Sequence, residues 1–160
     1  MRKKLLTIFI ILFSLTGCSL GADPKDHLPE TYIIALDALM KEDDALNSDM
    51  KYISIDMSNF ENFTEKDKKK ILKFFEDNYQ VKVMDASLDE LKKKGLFNAD
   101  NMSLEGVLLR IEKVDYKLVN NIRFVGSKYR SGLGAIGLEI TVHEVDGEWE
   151  VKKSKLTWIS

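Results

Sequence analysis

The sequence predicts an α+β domain in which N-terminal helices pack on a bent four-stranded antiparallel meander. Three observations carry this. Pro29 to Leu46 and Thr64 to Asn78 repeat their apolar residues at helical spacing. From Gly106 onward the period changes to two and stays there. Asn120-Asn121 and Asp146-Gly147 then stand where those strands must reverse, because both pairs accept positive φ. The competing arrangement is a mixed sheet with a βαβ unit, since the second helix lies between two short strand-like runs.

The chain opens with Arg2, Lys3 and Lys4, followed by an apolar run from Leu5 to Leu15. As a helix that run would span about 16 Å. A bilayer core needs about 20 apolar residues, so a permanent span is disfavoured. The run ends in Leu15-Thr16-Gly17-Cys18, which holds the single cysteine of the sequence. This stretch resembles the lipobox of bacterial prolipoproteins at every position. The resemblance implies cleavage before Cys18 and a diacylglycerol on its sulfur. It also implies a domain held on the outer face of the cell membrane. Buried acyl chains contribute about 0.8 kcal/mol per methylene, and two chains hold stably where one does not. With Cys18 so used, no thiol remains for a disulfide, a metal or a nucleophile. The expected division is a signal peptide over 1–17, a lipidated tether over 18–28 and one α+β domain over 29–160.

In the tether, Gly21 and Pro24 interrupt a polar stretch without periodicity. Pro29 suits a first helical turn, and Ile33, Leu36, Leu39, Met40 and Leu46 give a helix with a core-facing side and an acidic far side. Ile53, Ile55 and Met57 alternate with Tyr52, Ser54 and Asp56 as a half-buried strand. Thr64 can cap the next helix, with Asp67 in its first turn, and Lys66, Lys68, Lys69 and Lys70 form its solvated face. Val81 and Val83 mark a short strand. Ser87 with Glu90 is a capping-box pattern for a short helix that Gly95 ends. Leu96 to Leu104 reads as a connection. Four strands come next, with parity slips near Lys113 and among Lys152 to Lys155 that predict bulges.

The order of helices and then a long bent sheet resembles the cone folds of the NTF2-like and cystatin-like families. The match lies in element order and carries no motif.

A net charge of −2 becomes −5 once the three N-terminal positive residues are removed. This argues against nucleic acid, which calls for a basic face. Gly132-Leu133-Gly134-Ala135-Ile136-Gly137 spells a dinucleotide fingerprint, but it precedes a strand, so no helix N-terminus would meet a pyrophosphate. His27 and His143 have no metal-ligand spacing, no loop has calcium-hand spacing, and no nucleophile-elbow sequence occurs. No cofactor is therefore expected. Lys128, Tyr129 and Arg130 are the candidate ligand-binding residues. Two cations beside permissive glycines can hold a carboxylate or phosphate, and the aromatic ring can stack on it.

The expected function is a non-enzymatic, lipid-anchored module that binds an envelope protein or peptide. The whole chain, most of all Gly126 to Gly137 and the Trp158-Ile159-Ser160 ending, is similar to small lipoproteins of Gram-positive bacteria, some described as binding proteins of peptide transporters. A peptide- or solute-binding accessory of a transporter is accordingly one alternative. Another is a small cone-fold enzyme with an inward acid or base such as Glu139, Arg123 or Tyr116.

Overall fold

The computed structural model describes residues 23–118 and 120–160. The Leu15–Cys18 stretch lies outside the described residues. Asp23 accepts from the Lys25 amide and caps a 3-10 turn at Pro24–His27. Helix α1 (Leu28–Lys41) comes directly after it, with Leu28 buried. The second half of the expected tether is thus ordered against the domain.

The other elements, in chain order, are a 3-10 turn at Asp44–Asn47, β1 (Tyr52–Asp56), α2 (Glu65–Tyr79) and β2 (Lys82–Asp85). Then come α3 (Leu88–Lys93), β3 (Phe97–Asn98), β4 (Ser103–Leu118), β5 (Asn121–Ser131), β6 (Gly134–Val145) and β7 (Glu148–Ile159). They build an α+β fold on one mixed seven-stranded sheet in the order β2-β1-β4-β5-β6-β7, with β3 paired to β4. The sheet is larger than the four strands expected. β1 pairs in parallel with both β2 and β4, and β1–α2–β2 is a βαβ unit. From β4 to β7 each strand pairs antiparallel with the next.

Register shifts fall between Ile111 and Lys113, and around Lys152 where Thr141 pairs Lys153 and Val142 pairs Val151. An extra residue at such a point flips the parity of the residues after it, so apolar side chains stay on one face despite the slip.

That face carries the main core. Leu36 and Leu39 of α1, and Ile71 and Phe75 of α2, pack on Ile53, Ile55, Leu109, Phe124 and Ile140 of the sheet. Burying each such side chain is worth about 1.5–3 kcal/mol. The opposite face has a smaller cluster under α3, formed by Tyr52, Ala86, Leu91, Leu104 and Leu108. β1 is therefore buried on both faces, not the one face its alternation suggests. Its polar side chains find partners: Ser54 donates to the Ala86 carbonyl at 2.6 Å, and Asp56 lies 3.7 Å from Arg110.

Helix α2 starts in a capping box in which Thr64 and Asp67 each accept from the other's amide. The Thr64 hydroxyl and then the Thr64 amide, both donating to the Asp67 carboxylate, hold it below its ordinary range. Replacing Thr64 by alanine is expected to cost about 1 kcal/mol, read as a lower urea midpoint at unchanged slope. A midpoint equal to the parent's would show that the cap contributes nothing.

Helix α1 stops at Lys41, five residues before its apolar pattern ends. Glu42 is extended and Asp43 has φ 51°. Three successive acidic residues here oppose the negative end of the helix dipole, so continuing the helix through them is unfavourable. Leu96 to Leu104, expected as a plain connection, contains β3 paired to the start of β4 through Phe97 and Leu104.

Candidate functional site

Alternation on β5 sends Lys128 and Arg130 toward α1 and Tyr129 to the opposite face. The structure places them so, and each meets a backbone carbonyl of its own chain. The Lys128 side chain is fully buried and reaches the C-terminal end of α1. Its Nζ donates to the carbonyl oxygens of Met40 at 3.0 Å, Asp43 at 3.0 Å and Glu42, and lies 3.1 Å from Asn47 Oδ1. Arg130 Nη1 donates to the Leu46 carbonyl at 3.0 Å. Tyr129 donates to the Met102 carbonyl at 2.5 Å from the other side of the sheet.

An ammonium has three N–H groups. Four oxygens already surround that of Lys128, which leaves it no donor for an external anion. Burial pulls this amine down to about 8, while the nearby charges of Asp43, Asp44 and Glu42 act in the opposite sense. The cluster is a cation-capped helix end. It supplies the positive charge and donors that the acidic Glu42-Asp43-Asp44 turn lacks.

Two clefts lie elsewhere on the helix-covered face. A groove of about 470 Å³ runs between α1, α2 and β7, walled by Ile33, Ile34, Ala38, Phe74 and Val151. Asp37 lies in its wall, paired to Lys41 at 2.5 Å and accepting from the Tyr79 hydroxyl at 2.7 Å. Burial and the Asp37 carboxylate push the Tyr79 phenol well above its ordinary value. A second cleft of about 410 Å³ opens where β4 bulges, between Tyr32, Asn59, Glu61, Lys113 and Tyr116. Tyr32 and Tyr116 both line it, and burial, followed by the neighbouring Tyr116 hydroxyl, raises the Tyr32 phenol far above its normal range. Both hydroxyls therefore stay protonated near neutrality, as donors and not as bases.

Of the three residues considered for an enzyme, Arg123 and Glu139 meet, while Tyr116 lies apart from them. Arg123 lies 3.3 Å from Glu139 and 3.6 Å from Asp115, in a charge ladder on the face away from α1. Tyr116 packs toward the main core on the opposite side of β4. His27 pairs with Glu30, and His143 with Glu150, each at 3.1 Å. Among the described residues no three His, Cys, Asp or Glu side chains form a metal-holding group, and no helix is long and apolar enough to cross a membrane. The glycine-rich stretch forms the β5–β6 turn and the start of β6, where the Trp158 indole lies over Gly137.

Sequence reasoning missed the Tyr32–Tyr116 pair and the Lys128 cage. Only the cage had a signal, a run of three acidic residues directly after a helix end.

Comparison with family models, with curated proteins and with solved structures finds no match. The class that the fold defines is a small α+β domain on a mixed sheet.

Proposed function

We propose that this protein is a lipid-anchored extracytoplasmic lipoprotein whose α+β domain is a non-enzymatic binding module at the cell envelope. The observation that carries the reading is Leu15-Thr16-Gly17-Cys18 behind a charged and apolar leader. That stretch lies close in sequence to the domain, since Asp23, which caps the first described turn, is five residues after Cys18. Five extended residues reach about 17 Å, so acylation at Cys18 would hold the domain against the lipid headgroups. The partner chemistry that suits such a module is an envelope protein or peptide, and a transporter accessory is one form of it.

Replacing Cys18 by alanine is expected to move the protein from the membrane fraction to the medium or the uncleaved precursor pool. It should also abolish incorporation of labelled fatty acid. Unchanged labelling or membrane retention in that variant would remove the basis of the reading.

A small enzyme of NTF2-like or cystatin-like cone shape is a second reading, favoured by the Tyr32–Tyr116 cleft beside Glu61. α1 packed across β4 to β7 resembles the helix-on-sheet arrangement of those folds. The βαβ unit departs from them.

A further inference from the structure

β7 is the last strand of the sheet, and of its 12 residues only Trp149 is buried. Bare edges are usually short or covered, because their free N–H and C=O groups template pairing with another chain. This one is as long as β6, its inner neighbour.

Its charges are arranged with opposite sign about its middle. Glu148 and Glu150 precede Val151, whereas Lys152, Lys153 and Lys155 come after it. Pairing with β6 fixes the faces. Glu148, Glu150, Lys153 and Lys155 lie opposite Val145, His143, Thr141 and Glu139 on the face away from α1. Trp149 and Ser154 point to the helix-covered face, opposite Glu144 and Ile140. The shift at Lys152 keeps both charged halves on one side.

We propose that β7 pairs antiparallel with β7 of a second copy, about a two-fold axis between Val151 and Lys152, joining two seven-stranded sheets into one. A two-fold contact must be self-complementary: if residue i meets j, then j meets i. In this register Glu148 faces Lys155 of the second copy and Glu150 faces its Lys153. Each pair occurs twice, all on the same face. Trp149 meets Ser154 on the other face, and the bulged Val151-Lys152 step meets its own copy. Sliding to set Glu150 opposite Lys155 would bring Lys152 against Lys153, a like-charge pair. Sliding the other way would set Glu150 against Val151, whose side chains lie on opposite faces. The pattern thus selects one register, and a heterologous peptide would give no reason for it. Val151, exposed on a single chain, also walls the apolar groove beside α1. Pairing across the axis covers it. The inference does not rest on the lipid anchor. An anchor would strengthen the contact by confining copies to a plane, which raises their effective concentration.

The test uses the full chain carrying two different tags, co-expressed and purified from detergent extracts. The wild type is expected to co-purify with itself. An all-acidic edge (Lys153→Glu with Lys155→Glu) and an all-basic edge (Glu148→Lys with Glu150→Lys) are each expected to self-associate about tenfold more weakly or worse. Co-expressing the acidic with the basic variant should restore co-purification, because every facing pair is then opposite in charge. That recovery also shows both variants to be folded. A wild type that does not self-associate would overturn the proposal. So would charge variants that self-associate as the wild type does, or a loss in both that mixing fails to repair.

Discussion

Replacing Lys128 by methionine is expected to destabilise the fold by about 2–4 kcal/mol, because neutral acceptors that shared one charged donor are left without it. Methionine keeps most of the side-chain volume and removes only the ammonium. The carbonyls of Met40, Glu42 and Asp43 then lose a shared donor inside the structure. Glu42, Asp43 and Asp44 lose the cation that offsets them at the end of α1. Urea unfolding followed by circular dichroism reads the effect. A loss below about 1 kcal/mol would mean that the cage contributes little beyond packing. Arginine should not substitute, since a planar fork cannot fit among oxygens arranged around a single nitrogen.

The same lysine sets a pH dependence. Its folded value of about 8 lies below the ordinary 10.5. Between those values the unfolded chain keeps a proton that the native state has released, so stability from this group rises with pH across that window and falls as pH drops through about 8. The slope is at most about 1.4 kcal/mol per pH unit. The methionine variant should lack this rise, so the stability gap between the two proteins should widen from pH 8 to 10. A constant gap would contradict a depressed Lys128.

Replacing Gly106 by alanine is the second large effect, with an expected cost of about 2–3 kcal/mol from overpacking. A methyl group there would press on the Tyr52 carbonyl oxygen and come 2.5 Å from its ring Cδ2. The oxygen belongs to β1, which is held between β2 and β4, so it cannot withdraw as a surface side chain would. The variant should unfold at a lower urea concentration with β1 loosened first, seen as faster amide exchange at Ile53 and Ile55 than at Ile140. Wild-type exchange in β1 would show that the space is more forgiving than its geometry implies.

These two positions also mark where the sequence could and could not be read. Local chemistry was legible. Thr64 with Asp67 and Ser87 with Glu90 form the capping boxes their spacing suggests, Gly95 takes φ 69° after α3, and Asn120 and Asp146 take positive φ at the two hairpin turns. Period-two alternation likewise put Lys128 and Arg130 on one face of β5 and Tyr129 on the other, but a charged face over a core tyrosine was the expectation, and it is Lys128 that turns inward. What Lys128 meets there was not legible, because its partner carbonyls lie more than 80 residues earlier in the chain. The end of α1 was hidden for a related reason. Leu46 continues the helical period, and the acidic turn that stops the helix is tolerated only through a distant cation. The parallel contacts of β1 were also out of reach, since nothing in Lys51 to Met57 says that strands lie on both sides of it. At the candidate anion site, main-chain oxygens take up the donors of Lys128 and one of those of Arg130.

The two tryptophans of the chain sit near opposite ends of β7, Trp149 closed within the core and Trp158 open over Gly137. Their emission should therefore separate into a blue component that reports on the helix–sheet interior and a red one that reports on the far end of the last strand. A quencher dissolved in water would reach only the second.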